Sequence, residues 1–204
     1  YKPYYVSTDS KVTFSGDLLM LNKVSYVNFG ITGMVGLNLN PDSISVSPTG
    51  KATLENKGTI TLGTMESGVS YYRMVGMQLE SGGSYKVDSE LINSGTIILN
   101  SNELSTMIGM QINLHNDNRY VGNSLVKIGN IKIENGNIRG GDAIGVIFGD
   151  NKNLGLVDSN TIVDGSGGLI DINAYLARGI HINRINKPQS SNNGMENFKN
   201  LKLW

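Results

Sequence analysis

Five aspartates in the second half of the chain are the side chains best suited to acid–base chemistry. They are Asp142, Asp150, Asp158, Asp164 and Asp171. An enzyme that cleaves polysaccharides gathers its carboxyl groups on one exposed face, with Ca²⁺ or a basic residue where the substrate is acidic. These aspartates belong to different motifs and share no common spacing, so no acid pair is predicted. A carbohydrate-active enzyme, a lyase or a hydrolase, is kept as an alternative function.

The two histidines form no pattern for metal binding or nucleophilic catalysis. His115 lies in a polar stretch, whereas His181 alternates with Ile180 and Ile182, which predicts that it points outward from a strand. Neither has an acidic, histidine or serine partner at ligand or triad spacing. Cysteine is absent, which excludes disulfides, thiolate metal sites and cysteine nucleophiles. We therefore predict no catalytic residue, no metal ligand and no cofactor.

Two polar stretches, 116–118 and 150–153, carry oxygen atoms that could bind Ca²⁺. Both lack the spaced carboxylates and the bidentate Glu of a calcium-binding loop, so turns stabilised by Asn and Asp side chains explain them better. The glycine-rich stretches 140–141 and 165–168 are not followed by Lys and Ser or Thr. A phosphate-binding loop is therefore not predicted.

Opposite charges cancel in this chain, which has 17 Lys and Arg and 17 Asp and Glu among 204 residues. Because no basic stripe forms along the sequence, nucleic acid is not a predicted partner. No apolar run approaches the ~20 residues that cross a bilayer, so this segment is not predicted to insert into a membrane.

A glycine-centred motif recurs along the chain and predicts its architecture. The motif reads RMVGMQL at 73–79 and TMIGMQI at 106–112. Looser copies place the same glycine at 36, 145 and 179, so successive glycines are 40, 33, 36 and 34 residues apart. A period of this size is typical of a solenoid, in which each repeat stacks on the previous one.

A second repeat alternates with the first and supplies two further strands per unit. Its copies at 52–62, 90–99 and 131–138 each contain two runs of alternating apolar and polar residues around a corner with Asn and Gly. Alternation indicates strands with one buried face, while Asn and Gly tolerate the left-handed backbone of a corner. Three strands per unit predict an all-β, parallel solenoid of about five coils. An antiparallel β-sandwich is the alternative fold, although it does not require the repeat.

The repeat also predicts which side chains stack in rows. We expect three interior rows and one polar ladder at a corner, with the methionines of the glycine motif filling the core. The interior rows are Leu54, Leu91 and Ile133; Ile60, Ile97 and Ile138; and Met77, Met110, Val146 and Ile180; the ladder is Asn56, Asn93 and Asn135.

Two runs carry a resemblance to a known family. ENKGTITL at 55–62 and INSGTIIL at 92–99 resemble the N-x-G-T-I units of type V autotransporter passenger domains. The additional Gly-Met-Gln strand is similar to the large outer-membrane autotransporter adhesins of fusobacteria. This resemblance covers residues 12–182 and implies a right-handed parallel β-helix. It also implies a longer protein, exported to the bacterial cell surface and anchored in the outer membrane by a C-terminal β-barrel outside this chain.

The function implied by the resemblance is adhesion. The chain would be a passenger segment that binds a host-cell receptor, a glycan or another bacterial surface protein. A passenger similar to vacuolating toxins, which acts by oligomerising in membranes, is a further alternative. The segment 1–182 would form the β-helix with a short lead-in, and 183–204 a polar loop followed by the start of another coil.

Aromatic and basic residues in the predicted loops are the candidate partner-binding residues. Tyr and Arg are enriched where proteins bury partners, and Tyr can stack on the apolar face of a sugar. The alternative is that these tyrosines lie flat on the solenoid. The candidates are Tyr71, Tyr72, Arg73, His115, Arg119 and Tyr120. Because a solenoid exposes strand edges at its ends, end-to-end self-association is also predicted.

Overall fold

A computed structural model shows three parallel sheets wound around one apolar core. The structure describes residues 10–21, 33–39, 51–69, 71–81, 88–114, 124–139, 141–149, 156–157, 161–182, 184–185 and 198–199. Every regular element among these residues is a strand. All pairs of neighbouring strands run parallel, so the antiparallel sandwich is excluded.

Apart from two short strands, the strands belong to the three sheets in rotation along the chain. Sheet A contains β1 (Ser10–Phe14), β4 (Lys51–Asn56), β7 (Asp88–Asn93), β10 (Ser124–Lys127), β14 (Thr161–Asp164) and β18 (Phe198–Lys199). Sheet B contains β2 (Asp17–Met20), β5 (Thr59–Thr64), β8 (Thr96–Ser101), β11 (Asn130–Asn135) and β15 (Ile170–Asn173). Sheet C contains β3 (Gly33–Leu39), β6 (Arg73–Ser81), β9 (Thr106–Leu114), β12 (Asp142–Phe148) and β16 (Leu176–Ile182).

One strand from each sheet makes one coil. Coil one is β1 to β3, coil two β4 to β6, coil three β7 to β9, coil four β10 to β12, and coil five β14 to β16. This arrangement confirms the predicted right-handed parallel β-helix of about five three-strand coils. The short strands β13 (Leu156–Val157) and β17 (Arg184–Ile185) pair outside the three sheets, and β17 falls within the stretch interpreted as a polar loop. Strand β18 pairs with β14 and adds a sixth strand to sheet A.

The predicted row on sheet C is present and lines the core. Met77 pairs in register with Met110, Met110 with Val146, and Val146 with Ile180. Met77, Met110 and Val146 are fully buried. Met74 and Met107 form a neighbouring buried pair in the same sheet, which confirms that the repeated methionines fill the core.

The repeated glycine packs against isoleucine in the following coil. Met107 and Met110 both point into the core although they are three positions apart, an odd spacing that a regular strand would place on opposite faces, so the strand bends at Gly109. A Cβ atom on Gly109 would lie 2.6 Å from Cγ2 of Ile131 and 2.5 Å from the carbonyl oxygen of Gly145. The same arrangement recurs where Gly36 meets Ile60 and where Gly145 meets Ile170. Each glycine therefore makes room for the isoleucine of the next coil.

The predicted rows on sheets A and B are wrong in coil four. Leu91 pairs with Val126, whereas Ile133 belongs to sheet B and pairs with Leu99. Ile97 pairs with Ile131, and Ile138 is an exposed turn residue. The error arises because three residues, 93–95, separate the paired positions at this corner in coil three, whereas only the two residues 128–129 separate them in coil four. The Asn-Gly pair at 135–136 resembles the corners from sheet A to sheet B in coils two and three. It lies instead at the corner from sheet B to sheet C.

The asparagine ladder is confirmed for two of its three residues. Nδ2 of Asn56 donates to Oδ1 of Asn93 at 2.8 Å, and both side chains are buried. Nδ2 of Asn93 then donates to the backbone oxygen of Asn130 at 3.2 Å. Asn135 lies at a different corner, where its Oδ1 accepts a bond from the backbone nitrogen of Asn137 at 2.9 Å. The prediction that Asn135 extends the ladder is wrong for the same reason as the misplaced rows.

Substitution of neighbouring residues on β8 tests which face of sheet B lies inside. Ile97 is fully buried, so Ile97→Asp should lower the free energy of unfolding by several kcal/mol because an unpaired charge enters an apolar core. Thr96 points outward, and Thr96→Asp should change it by about 1 kcal/mol or less. Urea denaturation of both variants measures the difference. Equal losses would contradict the face assignment.

Substitution of the repeated glycine tests the contact between coils. Gly109→Ala should destabilise the protein by about 1–3 kcal/mol, because the added methyl group overlaps Ile131 and the Gly145 carbonyl. Gly33→Ala, on the same sheet, is the matched control, since its Cβ would meet only the Arg73 oxygen at 3.9 Å. Thermal unfolding of the two variants compares them. A neutral Gly109→Ala would show that the coils do not depend on this packing.

Candidate partner-binding corner

The turns from sheet B to sheet C stack on one another along one edge of the solenoid. The described parts of this corner are 65–69 and 71–72 in coil two, 102–105 in coil three, 136–139 and 141 in coil four, and 174–175 in coil five. Nδ2 of Asn102 donates to Oγ of Ser67 at 3.1 Å, and the backbone nitrogen of Gly68 donates to Oε1 of Glu103 at 3.0 Å. Hydrogen bonds between successive turns thus hold coils two and three in register at this edge.

The corner in coil four is shaped by two asparagines. After Asn135 accepts its bond from Asn137, Oδ1 of Asn137 accepts a bond from the backbone nitrogen of Arg139 at 2.8 Å. Such Asx turns reverse the chain locally and direct the intervening side chain away from the core. Ile138 therefore points into solvent although it is a large aliphatic residue.

Every coil from two to five exposes a large hydrophobic side chain at this corner. Tyr72 is 61% exposed, Leu104 61%, Ile138 80% and Tyr175 68%. In coils two to four, all exposed large hydrophobic residues of the described chain lie here. We call this surface the apolar ridge. It consists of Met65, Tyr72, Leu104, Ile138, Tyr175 and Leu176.

The two adjacent tyrosines of coil two have opposite environments. Tyr72 is on the ridge, whereas Tyr71 is fully buried in the main core cluster. Gly63, with φ of 76°, gives Tyr71 its space, because a Cβ there would lie 3.1 Å from the tyrosine ring. Tyr71 is thus a core residue and does not belong to the partner-binding surface for which the sequence suggested it.

Arg73 lies beside the ridge, on the outer face of sheet C. Its Nη2 donates to Oε1 of Gln111, and Nε2 of Gln111 donates to Oδ1 of Asn113 at 3.2 Å. Gln111 is buried and lies five positions beyond Thr106, the residue paired in register with Arg73, so the half-buried guanidinium is directed along the outer face of sheet C. Of the candidates from the sequence, Tyr72 is exposed on the ridge, and Arg73 follows it as the first residue of β6. His115, Arg119 and Tyr120 lie outside the described residues.

The aspartates considered for catalysis do not form a site in the part of the chain that the structure describes. Asp142, Asp164 and Asp171 lie on sheets C, A and B respectively. Oδ1 of Asp142 is 3.3 Å from Nη2 of Arg178, and Oδ1 of Asp164 accepts a bond from the backbone nitrogen of Ser166 at 2.9 Å. Asp150 and Asp158, like the two stretches considered for Ca²⁺, fall outside the described ranges.

His181 lies on the outer face of sheet C. Ile180 and Ile182 pack against the core, and His181 is on the opposite face of sheet C, paired in register with Ile147. Its predicted outward orientation is confirmed. Within the described ranges, no three His, Asp or Glu residues come close enough to hold a metal ion. The same residues include no helix that is long and apolar enough to cross a membrane.

Comparison with known proteins adds no assignment to this geometry. No family model, curated protein or solved structure matches the chain. The ridge, the stacked fold and the charges around them are therefore the basis for any functional conclusion.

Five of the six ridge residues were not among the partner-binding candidates from the sequence. Leu104 lies between Glu103 and Ser105, and Ile138 between Asn137 and Arg139, so each is a single apolar residue in a polar turn. Tyr175 lies two positions after the end of β15. The signal in the sequence was a single apolar residue within a polar turn. It can be recognised only after the turns of different coils have been aligned with one another.

Glu55 is the best-defined ionised group on the outer surface of sheet A. The ammonium of Lys11, 2.5 Å from Oε2, holds the pKa of Glu55 below its ordinary value of 4.5. Burial opposes this shift, while Lys57 at 3.8 Å and a bond from Oγ of Ser94 at 3.4 Å add to it. Lys11 belongs to coil one and Ser94 to coil three, so this carboxylate links three consecutive coils.

The depressed pKa of Glu55 predicts a loss of stability in acid. Because the carboxylate is more acidic in the folded state, its contribution is complete above about pH 4.5 and decreases as pH falls through the lower folded pKa. The difference in unfolding free energy between wild type and Glu55→Gln should therefore be largest at neutral pH and shrink below pH 4.5. Urea denaturation across this range measures it. A Lys11→Met background should reduce the pH dependence, and a difference that stays constant with pH would contradict the assignment.

Proposed function

We propose that this chain is a segment of a cell-surface adhesin passenger, a rigid β-helical scaffold that mediates adhesion to host cells or to other bacteria. The apolar ridge is its contact surface, with Tyr72 and Arg73 at one end. The partner would be a host receptor, a glycan or a bacterial surface protein.

The observation that carries the proposal is the alignment of exposed hydrophobic residues on a single edge. An exposed apolar side chain gains nothing for folding, and on soluble proteins contiguous apolar patches mark interaction sites. In this chain the outer faces of sheets A and B are largely polar in the same coils, with Thr59, Thr61, Lys132 and Glu90 as examples. Within coils two to four, an apolar line beside these polar faces supports recognition of a partner along the rod.

The solenoid supports the proposal through its rigidity. Rows of buried side chains run without interruption from coil to coil, and the coils are joined by continuous parallel hydrogen bonding. Such a structure keeps turns of different coils at fixed separations, about 4.8 Å per coil. The N-x-G-T-I units that resemble autotransporter passengers form the sheet A to sheet B corners, which is where the asparagine ladder lies.

Adhesion of beads coated with the purified chain tests the proposal. Beads carrying the wild-type chain should adhere to epithelial cells or to bacteria. The double variant Leu104→Ser, Ile138→Ser should reduce adhesion by about tenfold, because central exposed side chains dominate interface energies. Circular dichroism and thermal unfolding should be unchanged, since both side chains are already in water.

The matched control removes an exposed isoleucine from another surface. Ile162 is exposed on the outer face of sheet A, and Ile162→Ser should leave adhesion intact. If the double ridge variant adheres as well as wild type, the ridge is not the contact surface. If wild-type beads adhere to neither kind of cell, the proposed function is wrong for this segment.

A further inference from the structure

The sheet B to sheet C corner of coil four contains a pair of residues that can react with each other. Asn135 is followed by Gly136, and the only other Asn-Gly pair in the chain, at 193–194, lies outside the described residues. Glycine has no Cβ, so its backbone nitrogen can approach the side-chain amide of the preceding asparagine with little steric hindrance. Attack of that nitrogen on Cγ is the first step of asparagine deamidation.

A hydrogen bond to the preceding coil holds the nitrogen that would attack. The backbone nitrogen of Gly136 donates to the backbone oxygen of Ser101 at 3.0 Å, and Ser101 pairs in register with Asn135. The nitrogen must lose its proton and turn toward Cγ before it can react, and both changes break this bond. Because Ser101 belongs to coil three, the bond lasts as long as coils three and four stay stacked.

The side-chain amide of Asn135 is bonded through its oxygen alone. Its Oδ1 accepts a bond from the backbone nitrogen of Asn137 at 2.9 Å, whereas its Nδ2 is buried and has no hydrogen-bond partner among the residues that the structure describes. In coil five, Asn173 pairs with Glu134, and the next residue, Ala174, has no side-chain acceptor to offer. The amide nitrogen therefore loses no hydrogen bond when it leaves as ammonia.

The two asparagines of the ladder differ from Asn135 in both respects. Nδ2 of Asn56 donates to Oδ1 of Asn93, and Nδ2 of Asn93 donates to the backbone oxygen of Asn130. Neither Asn56 nor Asn93 is followed by glycine. Asn135 thus combines a reactive sequence with an amide nitrogen that nothing holds.

We infer that Asn135 is a deamidation site that the stacking of coil four on coil three keeps unreactive. When the bond to Ser101 opens, the Gly136 nitrogen attacks Cγ, the Cγ–Nδ2 bond breaks, and ammonia leaves with the proton of the attacking nitrogen. The product is a cyclic succinimide that joins residues 135 and 136. Water then opens the ring at Cγ to give aspartate, or at the backbone carbonyl carbon to give isoaspartate.

Either product changes the corner permanently. Isoaspartate lengthens the backbone by one methylene group at the start of the turn that carries Ile138. Aspartate places a carboxylate at a position that is 7% exposed, where its charge is poorly solvated. An opening of this corner is thereby recorded as a covalent change. Its effect on adhesion rests on the proposed function of the apolar ridge, whereas the modification itself does not.

Incubation of the purified chain at mildly alkaline pH tests both the reactivity and its suppression. Peptide mapping by mass spectrometry follows deamidation at Asn135, in buffer and in urea that unfolds the chain. The unfolded chain should deamidate readily, and the folded chain more than about tenfold more slowly, because the reaction waits for local opening. A synthetic peptide covering residues 131–139 controls for the solvent, and it should react at the same rate in buffer and in urea.

Two equivalent glycine substitutions test whether the contact between coils three and four is what suppresses the reaction. Gly109→Ala places a methyl group against Ile131, where coil three meets coil four. Gly36→Ala makes the same change between coils one and two, where the added Cβ would lie 2.7 Å from Cγ2 of Ile60. In buffer, Gly109→Ala should deamidate at Asn135 about fivefold faster than wild type or more, whereas Gly36→Ala should stay close to wild type.

The inference fails if the folded chain reacts as fast as the unfolded chain, or if the unfolded chain and the peptide do not react at Asn135. Equal rates for Gly109→Ala and Gly36→Ala would show that the contact between coils three and four does not control the reaction. The comparison of folded with unfolded wild type decides alone if Gly109→Ala does not fold. No cells are present in these assays, so adhesion of the coated beads succeeds or fails independently of them.

Discussion

The contact between the repeated glycine of one coil and the isoleucine of the next determines how the coils of this protein stack. A glycine in sheet C has no side chain, so the isoleucine on sheet B approaches the backbone of the preceding coil closely. Because the contact recurs at Gly36, Gly76, Gly109 and Gly145, each coil is positioned on its neighbour in the same way. A larger residue at any of these positions would move one wall of the solenoid relative to the other two.

This uniform stacking explains why corners with different sequences form a continuous surface. The turns of coils two, three and four have different lengths and share little sequence. Each nevertheless begins and ends on strands that are held in register by the core, with Thr64, Ser101 and Asn135 paired at the start of the turns. Hydrogen bonds such as those from Asn102 to Ser67 and from Gly68 to Glu103 then join the turns directly. Side chains that are far apart in the sequence are thereby aligned along one edge.

The period and strand character of the chain could be predicted because they depend on local residue patterns. The spacing of the glycine motif predicted the correct coil length. The methionines of the motif predicted the correct buried row on sheet C. The register of coil four could not be predicted in the same way, because Asn-Gly sequences occur at two kinds of corner. Nor does sequence alone distinguish Tyr71 from Tyr72. Their opposite environments depend on the path of the preceding turn and on the space left by Gly63, which only the folded chain defines.

The positions of the aspartates and of the apolar ridge bear on the kind of function that the molecule can perform. Catalysis needs reactive groups converging on one point, whereas Asp142, Asp164 and Asp171 are spread over three walls. The proposed adhesion needs a contact surface along a stiff support, and in that proposal the ridge is the surface and the stacked coils are the support. The core restricts the inward residues of each strand but leaves the corner residues free to vary. Residues at the corners can therefore change while the coils keep their packing.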